Sequence, residues 1–380
     1  MPLVLAHVWS SDMGAALSRP FLQPQLDRGW RVFVLSPPGP RLGELQASPG
    51  ITWLPLSLTR RRFDLAGDLR AALQLAAYYR RHRFDLMHTH NIKAGLIGRV
   101  TAGLVRAPRI VHTVHGMPFD RETPAAQRYA HVSLEWLACR FVDRVFVQSD
   151  EDEATLLAHR VVPRARVVKI GNGVSLTRFD PGAADRARVR AELELAEDDV
   201  LFVSAGRLVR EKGFVELAQA AARARAVNPR VRLAIAGPRD PEKADALDED
   251  DLAAARAGGV SFLGERTDMP DVYAAADVVV LASWHEGLPR VLIEGAAMGR
   301  ALLASDARGC REVVVAPEGG ERVPVRSPEA LAAAMLRLAA DPARRAAAGA
   351  FNRHRALDRY DLALVIGAVD ASYRELLEAR

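Results

Sequence analysis

Residues 86–114 read LMHTHNIKAGLIGRVTAGLVRAPRIVHTV, and their pattern indicates the fold class. Two short apolar runs, Leu86–His90 and Ile110–Val114, are typical of buried strands, and the segment Ala94–Val105 between them has helical spacing. A strand, a crossover of this length and a second strand form a β-α-β unit with parallel strands. The alternation recurs along the chain, with strands predicted at Leu3–Trp9, Arg31–Leu35 and Val145–Gln148, and helices at Ala15–Asp27, Leu65–Arg83 and Ala125–Val142. The sequence therefore predicts an α/β protein with a mostly parallel sheet covered on both faces.

The same pattern starts again in the second half of the chain. Further strands are predicted at Val200–Ser204, Val231–Ala236, Val260–Leu263, Val278–Leu281 and Ala301–Ala304. Because 380 residues exceed what one hydrophobic core usually serves, we expect two domains that face a cleft. Both are expected to be doubly wound and Rossmann-like, spanning residues 1–171 and 172–361, with a hinge in the turn-rich stretch Gly171–Ala184. The last segment, Leu362–Glu378, has the spacing of an amphipathic helix.

Composition excludes several classes of protein. Hydrophobic residues make up 49% of the chain and charged residues 26%, which is typical of a globular protein and not of a disordered or membrane-spanning one. The apolar run Leu3–Val8 is too short to span a bilayer and has no features of a leader, so a cytoplasmic protein is expected. Cys139 and Cys310 lie far apart without metal-type spacing, which argues against a disulfide framework or a zinc site.

Positive charge is concentrated in the first half of the chain. Residues 1–171 contain 23 Lys/Arg and 14 Asp/Glu, a net +9, whereas the remaining residues carry −4. Such a field suits an anionic partner, although a generally arginine-rich composition would explain it equally well. No basic run is interleaved with aromatic residues, which argues against nucleic acid. The candidate contact with an anionic membrane, or alternatively a set of solvated arginines, consists of Arg60, Arg61, Arg62, Arg80, Arg81 and Arg83.

The most informative segment is HEGLPRVLIE, residues 285–294, which follows an apolar strand and leads into a helix. Glu286 is expected at the carboxyl end of that strand, where open α/β sheets bind ligands, and Glu294 lies one to two turns into the helix beyond Pro289. Two carboxylates so placed can accept hydrogen bonds from hydroxyls of an extended ligand, while the helix N-terminus offers amides to an anion. A pair of solvated helix glutamates is the alternative interpretation.

A second segment, SAGRLVREKG at residues 204–213, places two cations on a glycine-flanked turn. Arg207 and Lys212 follow the first strand of the second predicted domain and precede a helix. Two fixed cations there would neutralise a diphosphate leaving group without a metal ion. A basic surface loop would have the same composition.

Four histidines, namely His88, His90, His112 and His115, can be drawn as a metal cluster because imidazole is a common ligand. No cysteine or carboxylate is placed to complete such a set. We therefore predict no metal site, and expect His88 and His90 to lie at a strand terminus.

Several motifs together resemble the family 4 glycosyltransferases, which are retaining enzymes with the glycosyltransferase-B fold. They are DLMHTHNIKAGLIGR (85–99), VHTVHG (111–116), VFVQSDED (145–152), NGVSLTRFDP (172–181), SAGRLVREKG (204–213), FLGERTDMPDVYAAADVVVLAS (262–283), EGLPRVLIEGAAMG (286–299) and SDARGCREVV (305–314). The similarity covers nearly the whole chain. Within the family, the sequence looks most like the subgroup that builds bacterial capsule, exopolysaccharide and lipid-linked oligosaccharide.

The resemblance implies a role for each residue that matches a family motif. Glu286 would contact the hydroxyls of the donor sugar and Glu294 those of the ribose, while Arg207 and Lys212 would hold the diphosphate. His115 would reach the transferred sugar. Within the loop Gly264–Asp268, donor contacts are implied for Gly264 and Arg266. Further donor contacts are implied for Gly14, Gly206, Gly287, Leu288 and Pro289. The terminal helix, residues 362–380, would pack back on the first domain.

The implied reaction is a metal-independent transfer with retention, using no cofactor. A UDP-sugar is the donor most frequent in the family, and the acceptor would be a glycan or a lipid-linked molecule. The sequence departs from the family motifs at two positions. Relatives often have a pair of glycines where this chain has the single Gly14, and they usually have aspartate at the position of Ser175. Another enzyme of the same fold, such as a nucleotide-sugar epimerase or a phosphorylase, and a non-catalytic nucleotide-sugar binding protein remain alternatives, since fold alone does not settle function.

Overall fold

A computed structural model of the chain describes residues 2–59, 64–117, 119, 123–241 and 243–378. The chain divides into two compact units. The first consists of Met1–Ile170 together with Val365–Arg380, and the second of Gly171–Leu364. Among the helices of the described residues, none is both long and apolar enough to cross a membrane.

The first unit is built on a parallel sheet. Its strands are β1 (Val4–Val8), β2 (Arg31–Ser36), β3 (Ile51–Pro55), β4 (Leu86–His90), β5 (Ile110–Val114), β6 (Arg144–Val147) and β7 (Val167–Lys169). The intervening helices are α1 (Asp12–Leu17), α2 (Arg19–Asp27), α3 (Leu42–Gln46), α4 (Leu65–His82), α5 (Ile92–Leu104), α6 (Ala125–Cys139) and α7 (Asp150–Ala158). The strand order β3-β2-β1-β4-β5-β6-β7 reverses direction between β1 and β4. In such sheets ligands bind beyond the carboxyl ends of the strands at this switch point.

The second unit repeats this design. Its strands are β8 (Val200–Ala205), β9 (Val231–Ala236), β10 (Val260–Gly264), β11 (Val278–Leu281), β12 (Ala301–Ser305) and β13 (Gly320–Val323). Its helices are α8 (Arg186–Glu192), α9 (Phe214–Val227), α10 (Glu249–Ala257), α11 (Met269–Ala275), α12 (Arg290–Ala297), α13 (Cys310–Val313), α14 (Pro328–Ala340) and α15 (Pro342–Arg359). The order β10-β9-β8-β11-β12-β13 places the switch point between β8 and β11. The α/β class and the glycosyltransferase-B architecture expected from the sequence are confirmed.

The last helix, α16 (Leu362–Glu378), packs on the first sheet although it follows the second unit in the chain. Val369, Tyr373 and Leu376 lie in one apolar cluster with Leu5 of β1 and Phe146 of β6. The ring of Tyr373 is fully buried there. The bounds of this helix are those predicted from its periodicity.

Some elements differ from the sequence prediction. The predicted helix Ala15–Asp27 is two helices, because Ser18 ends α1 and α2 begins with Arg19 and Pro20. Proline has no N–H and cannot continue the hydrogen-bond ladder of the preceding turn. The strands β3, β7 and β13 were not predicted, since they are short and lie at or next to the sheet edges. The hinge stretch Gly171–Ala184 lies within the second unit, where Val174 bridges to Asp361.

Candidate functional site

The loops that follow β8 and β11 flank the switch point of the second sheet. Arg207 and Lys212 lie in the first loop, whose turn at Arg210–Lys212 is a 3₁₀ helix, and Glu286 lies in the second. Gly213 joins the two loops closely: its φ is +68°, and a Cβ at this position would lie 2.0 Å from the carbonyl oxygen of Ala282. Any side chain at Gly213 would therefore push the two loops apart.

Two hydrogen bonds to one carboxylate oxygen hold the side chain of Glu286 in place. Lys212 Nζ lies 2.6 Å from Glu286 Oε1, and the hydroxyl of Ser283 donates to the same oxygen at 2.6 Å. The side chains of Lys212 and Glu286 are mostly buried, at 21% and 13% exposure. Carboxylate oxygens accept hydrogen bonds, which is the chemistry that a contact with ligand hydroxyl groups requires. The sequence predicted both residues but not their contact or the part of Ser283, which lies three residues before Glu286.

Arg207 lies beside acidic groups rather than alone. Its guanidinium donates to Asp240 Oδ2 at 2.8 Å, and Glu211 Oε1 lies 3.8 Å away. Asp240 follows β9, the other neighbour of β8. Both predicted cations are therefore fixed at the carboxyl edge of the sheet by carboxylates, an arrangement that limits their freedom before a ligand arrives.

The backbone of Gly287, Leu288 and Pro289 forms the end of the Glu286 loop. Asn172 Nδ2 donates to the carbonyl of Leu288 at 2.9 Å, and Leu288 itself is buried. Gly309 approaches from the next loop, where a Cβ would lie 2.0 Å from the carbonyl oxygen of Gly287. Pro289 is the N-cap of α12, so the free amides of this helix begin directly after the loop.

Glu294 lies in α12 and is mostly buried. Its Oε2 accepts a hydrogen bond of 3.0 Å from the hydroxyl of Tyr273, and its Oε1 lies 3.4 Å from Arg290. Burial raises the pKa of Glu294 above its usual range, while Arg290 and the Tyr273 hydroxyl oppose this shift. No motif in the sequence pointed to Tyr273, which is 21 positions away from Glu294.

Three further predicted donor residues, Gly206, Gly264 and Arg266, lie at or just after strand ends of the second sheet. Gly206 follows β8 with a φ of +153°, and Gly264 ends β10 with a φ of +65°. Gly237 packs against Gly206 so tightly that a Cβ on Gly237 would lie 1.9 Å from the Gly206 carbonyl oxygen. Arg266 pairs with Glu192 at 2.5 Å and with Asp268 at 2.7 Å, so it ties α8 to the loop after β10.

His115 of the first unit ends a chain of hydrogen-bonded imidazoles. His7 Nδ1 lies 3.3 Å from His90 Nε2, and His90 Nδ1 lies 3.2 Å from His115 Nε2. The ring of Trp9 stacks on His90 with centroids 3.7 Å apart. Desolvation lowers the pKa of His115 to about 4 and that of His7 to about 3, so both rings are neutral at neutral pH. The row of hydrogen-bonded imidazoles therefore holds the neutral ring of His115 in one orientation.

The four histidines considered as a metal cluster do not lie together. His112 faces the other side of the sheet, where its ring lies against Gly95 of α5. His7, which the sequence analysis did not single out, lies with His88 and His90 instead, and one nitrogen of each is within 4.8 Å of the others. The nitrogens of His88 already contact the hydroxyls of Tyr373 and Thr113, the latter at 2.7 Å, so its lone pair and proton are both engaged.

Gly14, predicted to let the first loop approach the ligand, lies inside α1. A Cβ at this position would lie 2.8 Å from the ring of Trp9, and its N–H donates to the hydroxyl of Ser11 at 3.2 Å. The close packing of Trp9 against this position is by itself a sufficient reason for glycine, without a contact to a ligand.

Both halves of the chain match known families. Residues 23–178 match the family described as Glycosyltransferase Family 4, and residues 199–341 match Glycosyl transferases group 1. The chain also has the fold of HepE from Anabaena, solved with UDP and glucose, with a TM-score of 0.79 and 21% identity over 98% of this chain and 99% of that one.

Two curated relatives are similar over most of the chain. One is the UDP-Gal:alpha-D-GlcNAc-diphosphoundecaprenol alpha-1,3-galactosyltransferase of Escherichia coli, 28% identical over 66% of this chain and 65% of the relative. Another is the D-inositol 3-phosphate glycosyltransferase of Kineococcus radiotolerans, 30% identical over 77% of this chain and 73% of the relative. The chain therefore belongs to the family 4 glycosyltransferases.

Proposed function

We propose that the protein transfers a sugar, with retention and without a metal ion, from a UDP-sugar to a glycan or lipid-linked acceptor in bacterial surface polysaccharide or glycoconjugate synthesis. The observation that carries this proposal is the Lys212–Glu286 pair at the switch point of the second sheet, 2.6 Å apart and mostly buried. The pair places a cation that can bind a phosphate next to a carboxylate that can accept a hydrogen bond from a sugar hydroxyl.

The donor is assigned to the carboxyl edge of the second sheet. Lys212 and Arg207 bind the diphosphate, Glu286 accepts hydrogen bonds from hydroxyls of the transferred sugar, and Glu294 accepts them from the ribose. Because Lys212 already contacts Glu286, its ammonium lies between the sugar and the phosphate when a donor is bound. Gly206 and Gly264 leave the strand ends open for the nucleotide.

Retention requires that the acceptor attack the face from which the nucleotide departs, unless a covalent intermediate forms. In the proposed reaction a phosphate oxygen of the leaving group takes the proton of the acceptor hydroxyl. Negative charge grows on the diphosphate as the glycosidic bond breaks, and Arg207 and Lys212 stabilise it. Neutral His115 is assigned to the transferred sugar as a hydrogen-bonding group.

The relatives support an acceptor that carries phosphate. The named acceptor of the Escherichia coli relative is a diphosphoundecaprenol-linked sugar, and that of the Kineococcus relative is D-inositol 3-phosphate. The positive charge of the first half of this chain suits either kind of molecule. Of the six arginines in the predicted membrane contact, Arg60, Arg61 and Arg62 lie outside the described residues.

The proposal is tested by a thermal-shift screen against nucleotide sugars, followed by assays with the best donor and a panel of lipid-linked and soluble acceptors. We expect activity in excess chelator and an α-linked product from an α-linked donor, read by proton NMR. Loss of activity that added metal restores, or an inverted product, would contradict the mechanism. Conversion of the donor without any acceptor would indicate an epimerase instead.

A further inference from the structure

A small cavity of the first unit lies between the end of β5 and the helices α5 and α6. Its volume is about 120 Å³. At about 30 Å³ for each water-sized group, the cavity has room for about four non-hydrogen atoms, which is a substituent of a sugar and not a sugar ring. Asn91 and Ile92 are accessible to solvent, so a ligand enters from their side. The deeper lining residues are buried, namely His112, Val114, Met117 and Glu135.

His112 brings an unused hydrogen-bond acceptor to the wall of the cavity. Its Nδ1 lies 3.0 Å from the backbone carbonyl oxygen of Thr89. Because a carbonyl oxygen can only accept, Nδ1 carries the proton and Nε2 is left with a lone pair. Burial holds the pKa of His112 well below its usual range, so the ring is neutral at neutral pH. No hydrogen-bond partner of Nε2 lies among the described residues.

Asn91 brings an unused donor to the opening of the cavity. Its Oδ1 accepts a hydrogen bond of 3.1 Å from the hydroxyl of Ser10. The amide nitrogen Nδ2 has no partner in the part of the chain that the structure describes, so its N–H groups can donate to a ligand. The backbone of Asn91 has a φ of +60°, which asparagine and aspartate tolerate better than most residues. Aspartate at this position therefore removes the donor without straining the turn before α5.

The acidic group of the cavity is already neutralised. The two carboxylate oxygens of Glu135 accept hydrogen bonds from Arg99 at 2.8 and 2.9 Å, and Arg99 is fully buried. An ammonium group would therefore gain little from Glu135, and a phosphate would face its oxygens. Ile92, Val114 and Met117 add apolar walls. The cavity thus suits a neutral group that has a donor, an acceptor and an apolar end.

We propose that this cavity binds the acetamido group of an N-acetylated acceptor sugar and thereby selects such a sugar over its hydroxyl counterpart. The amide N–H donates to His112 Nε2, the carbonyl oxygen accepts from Asn91 Nδ2, and the methyl group contacts Val114 and Met117. The four non-hydrogen atoms of the group match the volume, whereas a hydroxyl would leave the apolar walls unfilled. His115, assigned above to the transferred sugar, lines the same cavity. The inference rests on the transfer to a glycan acceptor proposed above.

The first test measures binding without turnover. Saturation-transfer NMR of the full chain is recorded with the methyl glycosides of N-acetylglucosamine and N-acetylgalactosamine, and with those of glucose and galactose. We expect the strongest saturation at the acetyl methyl protons and weaker saturation of the two parent glycosides. No saturation of any glycoside, or equal saturation of N-acetylated and parent glycosides, would overturn the inference.

Two variants locate the binding in the cavity. Asn91→Asp removes the donor, and Val114→Ile adds a methyl group to the apolar wall. Each should lower the affinity for the N-acetylated glycosides by about fivefold or more. Asn228→Asp is the matched control, since this asparagine caps the end of α9 in the second unit, and it should bind like the wild type. Melting curves check the fold, and acetyl saturation that neither folded variant weakens would contradict the assignment.

The second test separates the acceptor from the donor as the source of the group. With one donor, kcat/KM should be about tenfold or more higher for an N-acetylated acceptor than for its hydroxyl counterpart, and both cavity variants should reduce this ratio. Transfer without such a preference would overturn the inference and leave the proposed function intact. Acetyl saturation without transfer to any acceptor would refute the proposed function and keep the cavity as an acetamido site. A preference for N-acetylated donors that the variants abolish would show that the group belongs to the donor, against the proposal.

Discussion

Lys212 and Arg207 are the two residues on which charge stabilisation in the proposed reaction depends. Replacing either with alanine removes a positioned cation from the growing charge of the diphosphate, so we expect turnover to fall by about 100-fold or more. Both side chains keep some solvent exposure, and the fold should survive. Turnover is measured at saturating donor, together with a melting curve. Near-normal turnover in a folded variant would contradict the diphosphate assignment.

Glu286 and Glu294 are assigned to different parts of one ligand, and their variants should differ accordingly. We expect Glu286→Gln to lower turnover with little change in UDP affinity, because UDP lacks the sugar. Glu294→Gln should weaken UDP itself, since the ribose contact is lost. Calorimetric titration with UDP separates the two, with Glu318→Gln on the exposed surface as the control. Equal loss of UDP affinity in both variants would disprove the division of roles.

At the scale of elements, α16 contributes to the first unit through one fully buried ring. Removing it in Tyr373→Ala leaves a cavity among strands β1, β4 and β6 and deprives His88 of a hydrogen-bond partner. We expect the free energy of unfolding to fall by about 3–5 kcal/mol. Leu364→Ala on the same helix, where the side chain is 53% exposed, should change it by no more than about 0.5 kcal/mol. Urea unfolding of both variants checks the contrast, and similar values would show that α16 does not depend on this contact.

At the scale of the whole molecule, the two units should respond differently to acid. Five histidines with lowered pKa values, namely His7, His88, His90, His112 and His115, lie in the core or at the strand ends of the first unit. Above pH 6.5 the ring is neutral in both folded and unfolded chains. Below pH 6.5 these histidines bind protons in the unfolded chain but stay neutral in the folded unit. At His115 the folded unit binds a proton only when the pH falls to about 4.

Stability of the first unit should therefore fall between pH 6.5 and pH 4, by up to about 1.4 kcal/mol per pH unit for each such histidine. Urea unfolding at pH 7 and pH 5 measures the difference. His7→Gln should reduce it, whereas His354→Gln, at a side chain 77% exposed, should leave it unchanged. A pH response that His7→Gln does not alter would show that His7 is not buried in the neutral form.

Much of the architecture follows from local sequence. The alternation of apolar runs with helical periodicity determined the parallel sheets, because strands and helices impose different spacing on buried residues. The glycines that flank residues 210–212 predicted the turn there. Pro289 and the apolar residues that follow it predicted the helix that carries Glu294. The periodicity of α16 was equally clear. Edge strands such as β7 were missed, since three residues carry too little pattern.

Which side chains meet depends on the tertiary structure. Lys212 and Glu286 are 74 positions apart and touch because β8 and β11 are neighbours in the sheet. His112 lies on the opposite face of the sheet from His7, His88 and His90. Alternate residues of a strand point to opposite faces, so the face on which His112 lies depends on the register of β5 with β4. Which apolar residues of a helix stay exposed is likewise visible only in the folded unit. Periodicity shows that a helix has an apolar stripe, but the sheet buries one side of each helix and thereby determines which apolar residues remain outside.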